Sequence, residues 1–374
     1  MDRSKWEYKP FEECIEKSKK TKQLMTSDYQ PDGAYPIISQ EASLISGYTN
    51  DPDYVNHFDR PVVIFGDHTR VLKYVDFDFA VGADGVKILI PHANLDAKFL
   101  LSFLTWYKIP NLGYSRHYKL LKDISVPVPP IADQQRIVAE LDCLNEMIAV
   151  KQEQLKEFDK LAQSIFYDMF GDPHVNNFGW KIVLLAENVI DSQIGIIRGA
   201  KEQGLDKKYI YFKMNNITNS GQMDLSNYTK VDATGDDVKK YQLKYGDFLF
   251  NTRNSYELVG KSCVYTLKEG PLTLYNNNIL RLNFNSNLDS IFLSYLFNDK
   301  YMKEQLNTIK KGTTNVCAIY YKDLSRLRIM LPDCSLQQQF AEKISAIEAQ
   351  KELVKQSIAE TQVLLDYTMD KYFG

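Results

Sequence analysis

The chain is poor in cysteine and histidine and has no long apolar run. Its five cysteines, Cys14, Cys143, Cys263, Cys317 and Cys334, are widely spaced and form no Cys-x-x-Cys pair. That excludes a zinc ribbon and a disulfide scaffold. The five histidines show no ligand spacing. The longest mainly apolar stretch, Phe99 to Tyr107, is too short to cross a bilayer, and the opening MDRSKWEYKPFEE has no secretory character. The expectation is a soluble, cytoplasmic protein. Signs of enzyme chemistry are also missing. No Gly-x-Ser-x-Gly elbow occurs. SYELVGKS at 255–262 ends like a phosphate loop but lacks the first glycine. It also leads into strand-like CVYTL, where a phosphate loop must open a helix. Asp96-Ala97-Lys98, following Pro52-Asp53, has the outline of a nuclease motif, but Asp96 more simply caps the helix after it.

What is present suits two or three ordinary domains: 374 residues, 44% apolar and 25% charged, with 24 Tyr and 19 Phe favouring strands. The net charge of −3 is unevenly spread. Lys and Arg counted against Asp and Glu give −1 for residues 1–130, −5 for 131–172, +5 for 173–334 and −2 for 335–374. A nucleic-acid contact needs a local positive surface, not a positive total. The charge therefore permits such a contact without requiring it.

Periodicity divides the chain. Residues 131–172 place Ile137, Leu141, Leu144, Ile148, Leu155, Phe158, Ala162, Ile165 and Met169 at alternating steps of four and three, with Lys151 in the one missing place. That is a sustained heptad seam. VPVPP at 126–130 is extended, Asp133 is a candidate N-cap, and Gly171 before Asp172-Pro173 is a stop. About 40 residues at 1.5 Å each make a rod of roughly 60 Å. Residues 335–374 repeat the design. A gap-free shift of 203 places puts Phe340, Ile344, Ile347, Val354, Ile358, Leu365 and Tyr372 in the same phase, with Ser335 and Gln338 as a capping box.

The blocks before the rods, 1–130 and 173–334, also correspond. Trp6 and Trp180 open them, and Lys122-Asp123-Ile124-Ser125 matches Lys322-Asp323-Leu324-Ser325 if three residues are added before the second proline. Short runs such as PVVIFGD, GVKILI, YGDFLFNTR, KSCVYTL and NNILRLNFN read as strands. AKFLLSFLTWY and SIFLSYLF read as a short helix in each block. The expected fold is α+β: two strand-rich domains joined by two long antiparallel helices, a tandem duplication with an approximate twofold axis.

KDISVPVPPIADQQRIVAELD followed by a heptad rod ending MFGDP is similar to the specificity subunits of type I restriction-modification systems, and the second junction, LRIMLPDCSLQQQFAEKI, extends the likeness over the whole chain. Asp333-Cys334 departs from it, standing where Pro130-Ile131 stands in the first copy. The resemblance implies a non-catalytic DNA-binding subunit with two target-recognition domains, each reading one half of a bipartite target on double-stranded DNA. It implies two modification (methyltransferase) subunits and restriction (motor and nuclease) subunits as partners. No cofactor is expected on this chain; S-adenosylmethionine, ATP and magnesium belong to the partners. The chain accordingly lacks the Asn-Pro-Pro-aromatic motif of adenine methyltransferases. Two other readings stand beside this one: a coiled-coil adaptor with two β-rich interaction domains, and an independent DNA-binding regulator.

Candidate DNA contacts fall in three places. The first is the segment after a strand in each block: His68, Thr69, Arg70 and Lys73, with Asn251, Thr252, Arg253 and Asn254 as counterpart. Arg suits guanine, Asn suits adenine, and Thr and Lys suit phosphates or thymine methyls. The same residues would also serve a plain hairpin turn. The second is the loop after the short helix: Ser115, Arg116, His117 and Lys119 in one block, and Lys310, Lys311, Gly312, Thr313, Thr314 and Asn315 in the other. A solvated turn or a contact with a partner subunit would look alike. The third is Arg198 with Lys201.

Overall fold

The computed structural model describes residues 3, 6–17, 22–113 and 115–374. They form two compact units, Met1–Gln154 with Val354–Gly374, and Leu155–Leu353. Each boundary falls inside a long helix, Ile131–Phe170 or Cys334–Phe373.

In the first unit a four-stranded sheet runs in the order Ile15–Glu16, Val86–Pro91, Val62–Gly66, Leu72–Val75. Its centre is the run VVIFG, buried on both faces, so both alternating sets of side chains are apolar. Val63 and Phe65 face the helices, joining Leu89 of the neighbouring strand and Phe99, Leu100 and Phe103 of the short helix Ala97–Tyr107. Val62 and Ile64 face the other way, toward Ile38, Phe79 and Val81 of a second four-stranded sheet. Glu7–Pro10 pairs with Ser125–Val128 to close the block.

The second unit repeats this. Its central strand Phe248–Asn251 sits between Ile279–Phe284 and Ser262–Val264. Phe248 and Phe250 face the helix core, and Leu249 faces Phe212, Cys263 and Tyr275. Lys181–Leu184 pairs with Arg328–Leu331, the counterpart of the first unit's closing pair. The short helices Tyr118–Leu121 and Tyr321–Leu324 precede the closing strands. The 203-place shift thus runs without a gap from Tyr118 onward. The expected match of Lys122–Ser125 with Lys322–Ser325 is corrected: helix and strand must meet the same closing pair in both units, which leaves no room for three extra residues.

Both long helices follow a closing strand almost at once, and both start earlier than their sequence suggested. Ile131 opens the first, with Asp133 and Gln134 donating backbone N–H to Pro130 O, so Asp133 lies within the first turn. Cys334 opens the second, which places Ser335 inside the helix rather than at a capping box. Each entry is held by a buried glutamine instead. Gln134 Nε2 donates to Pro129 O (2.7 Å) and Asn94 O (2.8 Å), while its Oε1 accepts from Asp96 N (2.8 Å). Gln337 makes the same three bonds to Pro332 O, Asn287 O and Asp289 N at 2.8, 2.9 and 2.9 Å. Asp96 and Asp289 in turn cap the short helices. A buried amide is tolerated because donors and acceptor are all satisfied.

Within each unit the two long helices run antiparallel. In the first, Lys151 Nζ reaches Ser357 Oγ (2.7 Å) and Thr361 Oγ1 (2.9 Å), and Tyr372 donates to Glu140. In the second, Lys351 Nζ reaches Asp159 Oδ1 and Glu348 Oε1, both at 2.8 Å. Burial pushes the Lys351 ammonium down, and the two carboxylates overcome this and hold it above the ordinary lysine range. Phe166 and Phe170 meet Phe292 and Phe340 with centroids 4.7–5.9 Å apart. Such pairs contribute about 1 kcal/mol each beyond their buried area.

Candidate nucleic-acid interface

The structure brings together what the sequence kept apart. In the first unit, Val62–Gly66 and Leu72–Val75 form a hairpin whose turn is 67–70. The loop after the short helix folds back onto that turn. His117 N and Nδ1 both bond Asp67 O, at 2.8 and 2.9 Å, and His117 Nε2 accepts from Leu112 N at 3.0 Å. These partners assign the proton to Nδ1. Asp67, 2% exposed, accepts from Tyr118 N at 2.7 Å. It is the pivot between the two candidate segments, and the sequence reading passed over it.

The second unit makes the same junction with a different device. Ile319 N donates to Thr252 O at 3.0 Å. Arg253–Asn254, Cys317–Ala318 and Lys311–Gly312 then form a three-stranded sheet. Arg253 therefore stands across one strand from Lys311. The hairpin tip Thr313–Val316 is exposed, and Thr313 N closes it on Val316 O at 2.9 Å. Gly312 has φ +133°, and a Cβ there would lie 2.3 Å from Val316 O, so the turn requires glycine.

Burial sorts the candidates. Lys73 is 5% exposed and donates to Ser39 O and Ser43 O at 2.8 and 2.6 Å; desolvation pushes its ammonium down. His117, Asn251 and Thr252 are buried as well. Asn251 Nδ2 donates to Arg253 O and Asn278 O, and Thr252 Oγ1 to Asn278 O. The expectation of direct contact is corrected for these four: their polar atoms are already used in shaping the loops.

A second group reaches the surface but is engaged. Arg70, at φ +61°, donates to Ile109 O at 3.1 Å, and Thr69 Oγ1 donates to Gln40 O. Arg116 pairs with Asp84 at 3.2 Å. Arg198, 19% exposed, is bound by Asp237 Oδ2 and Asp232 O. Lys310 donates to Tyr256 O at 2.6 Å and lies 4.5 Å from that ring's centroid; burial lowers its pKa. Lys311 pairs with Asp323 at 2.6 Å and holds that carboxyl below its usual range. Asn254 donates to Asn251 Oδ1, and His68 and Ser115 are half-buried.

Among the described residues, Lys119, Lys201 and Arg253 are exposed cations of the set bonded to none of the others. Thr313, Thr314 and Asn315 are exposed beside Arg253's sheet. A guanidinium, hydroxyls and an amide on one small sheet are the donors and acceptors that read base edges and phosphates. Partners such as Asp67, Gln40, Tyr256 and Asp323 were missed.

No described helix is long and apolar enough to cross a membrane. Among the described residues no group of three acidic, histidine or cysteine side chains is placed to hold a metal ion.

Comparison with known proteins agrees with the duplicated fold. The family model described as the type I restriction modification DNA specificity domain matches residues 3–159 and again 193–362. The MjaVIII specificity subunit of Methanocaldococcus jannaschii is 23% identical over 380 residues, 92% of this chain and 86% of that protein. The StySPI specificity subunit of Salmonella potsdam is 22% identical over 288 residues, 71% of this chain and 60% of that one. The chain spans less than two thirds of the length of some of these curated relatives. Among solved structures, the S subunit of a type I system from M. genitalium superposes with TM-score 0.59 at 15% identity, covering 99% of this chain and 96% of that one. With the family model matched on both halves, the chain belongs to the type I restriction-modification DNA specificity family.

Proposed function

We propose that this chain is the sequence-reading subunit of a type I complex, and that each unit reads one half-site of an asymmetric bipartite target on double-stranded DNA. The observation that carries this is the same junction made twice. In each unit the turn after the central strand is bonded to the loop before the last short helix, by Asp67 to His117 and by Thr252 to Ile319. Two similar scaffolds with different exposed residues suit two different half-sites, which a homodimer of identical readers does not provide. The long helices that run through both units serve as the ruler between half-sites. The chain is non-catalytic in this reading and binds no cofactor itself. Two modification subunits bring S-adenosylmethionine and methylate adenine N6, and restriction subunits bring ATP and magnesium chemistry.

The test is selection from a randomised duplex pool by the full chain assembled with its modification subunits. Two short constant sequences separated by a fixed gap are expected. Recovery of a single uninterrupted site, or of no preferred sequence, overturns the reading. A methyl-transfer assay on the purified chain alone should show no incorporation from S-adenosylmethionine.

A further inference from the structure

The second unit carries a concavity of about 380 Å³ beside Arg253, lined among others by Ile194, Ile197, Thr252, Ala318 and Tyr320. Three of these expose apolar surface: Ile197 at 71%, Tyr320 at 45% and Ile194 at 41%. Ile197 is held there firmly. Its neighbour Ile196 is buried, and Ile196 O accepts from Tyr211 Oη at 2.8 Å. On its other side Arg198 donates to Asp237 Oδ2 (2.9 Å), Asp232 O (3.2 Å) and Ile197 O (2.9 Å). The segment expected to offer Arg198 thus fixes that arginine inward and presents an isoleucine outward.

Arg253 is the one charged residue in the lining, and no carboxylate faces the concavity among the described residues. A guanidinium next to an apolar recess matches one feature of the major groove. Guanine offers O6 and N7 to arginine, and the thymine 5-methyl is the apolar group on a base edge. We propose that this concavity reads a thymine by its methyl group, with Ile197 as the contact and Tyr320 as its neighbour, next to a guanine paired with Arg253. The proposal rests on the reading that this unit binds a half-site. It adds a base identity and a specificity-determining residue that the polar candidates did not include.

The experiment uses the full chain assembled with its modification subunits and the duplex selected from the randomised pool. Each thymidine of the target is replaced in turn by 2′-deoxyuridine, which removes only the methyl. At one position of one half-site the substitution should weaken wild-type binding roughly fourfold, the value of one buried apolar carbon. Ile197→Ala should bind the thymidine and deoxyuridine duplexes equally at that position and keep discrimination elsewhere. Arg253→Ala should relax preference at an adjacent G·C pair. Equal binding of thymidine and deoxyuridine at every position overturns the proposal, as does an Ile197→Ala protein that still discriminates. Failure of Ile197→Ala to assemble with the modification subunits also overturns it, by assigning the recess to a protein partner. A specific target is still recovered by wild type in all three cases, so they are separate from failure of the half-site reading itself.

Discussion

At the residue scale, burial decides what a polar side chain does. Lys73 and Arg253 both looked like contacts in the sequence, being cations after a strand. Lys73 spends its ammonium on two backbone carbonyls inside the first unit, whereas Arg253 is exposed. Lys73→Ala should therefore destabilise the first unit, since Ser39 O and Ser43 O lose their donor, by about 1–3 kcal/mol in denaturant unfolding. Arg253→Ala should leave unfolding unchanged and cost roughly 1–3 kcal/mol on the selected duplex. The glutamines at the helix entries follow the first pattern. Gln337→Ala orphans Pro332 O, Asn287 O and Asp289 N together. A loss of about 3 kcal/mol is expected, read as a lower unfolding midpoint with the preferred sequence intact. Lys310 belongs here too. Its bond to Tyr256 O and its place over that ring make Lys310→Ala a loosening of the hairpin as much as a lost charge.

At the element scale, the long helices were readable because their seam is sustained. Ile137, Leu141, Leu144 and Ile148 are buried as the heptad required, and so are Phe340, Ile344 and Ile347. Polar members of the seam were not readable: Lys351 and Thr361 are buried, and Asp159 and Lys151 on the other helix supply their partners. Lys351 lies between two carboxylates that keep water, at 51% and 40% exposure. Because these carboxylates outweigh the cost of burying the ammonium, Lys351→Met should lower stability by about 1 kcal/mol, measured as a lower unfolding midpoint. An unchanged or higher midpoint would mean that the ion pairs do not stabilise the seam. The strands were readable where both faces are apolar, as in Val62–Gly66. The site was readable only as separate loops. Hydrogen bonds between distant segments, such as His117 to Asp67, bring the loops together, and no local pattern records them. The helix starts were misplaced by three and two residues because glutamine side chains turned inward replace the expected caps.

At the scale of the whole molecule, the compact units do not end where the blocks end. The first unit's core joins Val63, Phe99 and Phe103 of the block to Ile137 and Leu141 of one long helix and Leu365, Tyr372 and Phe373 of the other. Phe373 alone lies 5.4–5.9 Å from the rings of Phe99, Phe103 and Trp106, and Trp106 Nε1 donates to Asp370 at 2.7 Å. A block is therefore matched to the helix segments it packs on, not only to its DNA. Exchange of residues 1–130 for those of another family member sets a foreign short helix against Phe373 and a foreign loop against Gln134. Exchange of 1–154 together with 354–374 carries the matched surfaces along. Both chimeras should change one half-site and leave the other, because the second unit is untouched. The first should unfold earlier, by roughly 2–4 kcal/mol if one large side chain of that interface is mispacked, while the second should stay near the parents. Unfolding midpoints test the packing, and sequencing of DNA methylated by each assembled chimera tests the readout. Equal stability of the two chimeras would show that the helix segments do not discriminate between blocks. A change in both half-sites would show that one unit's readout depends on the other, and the two-reader scheme would fail.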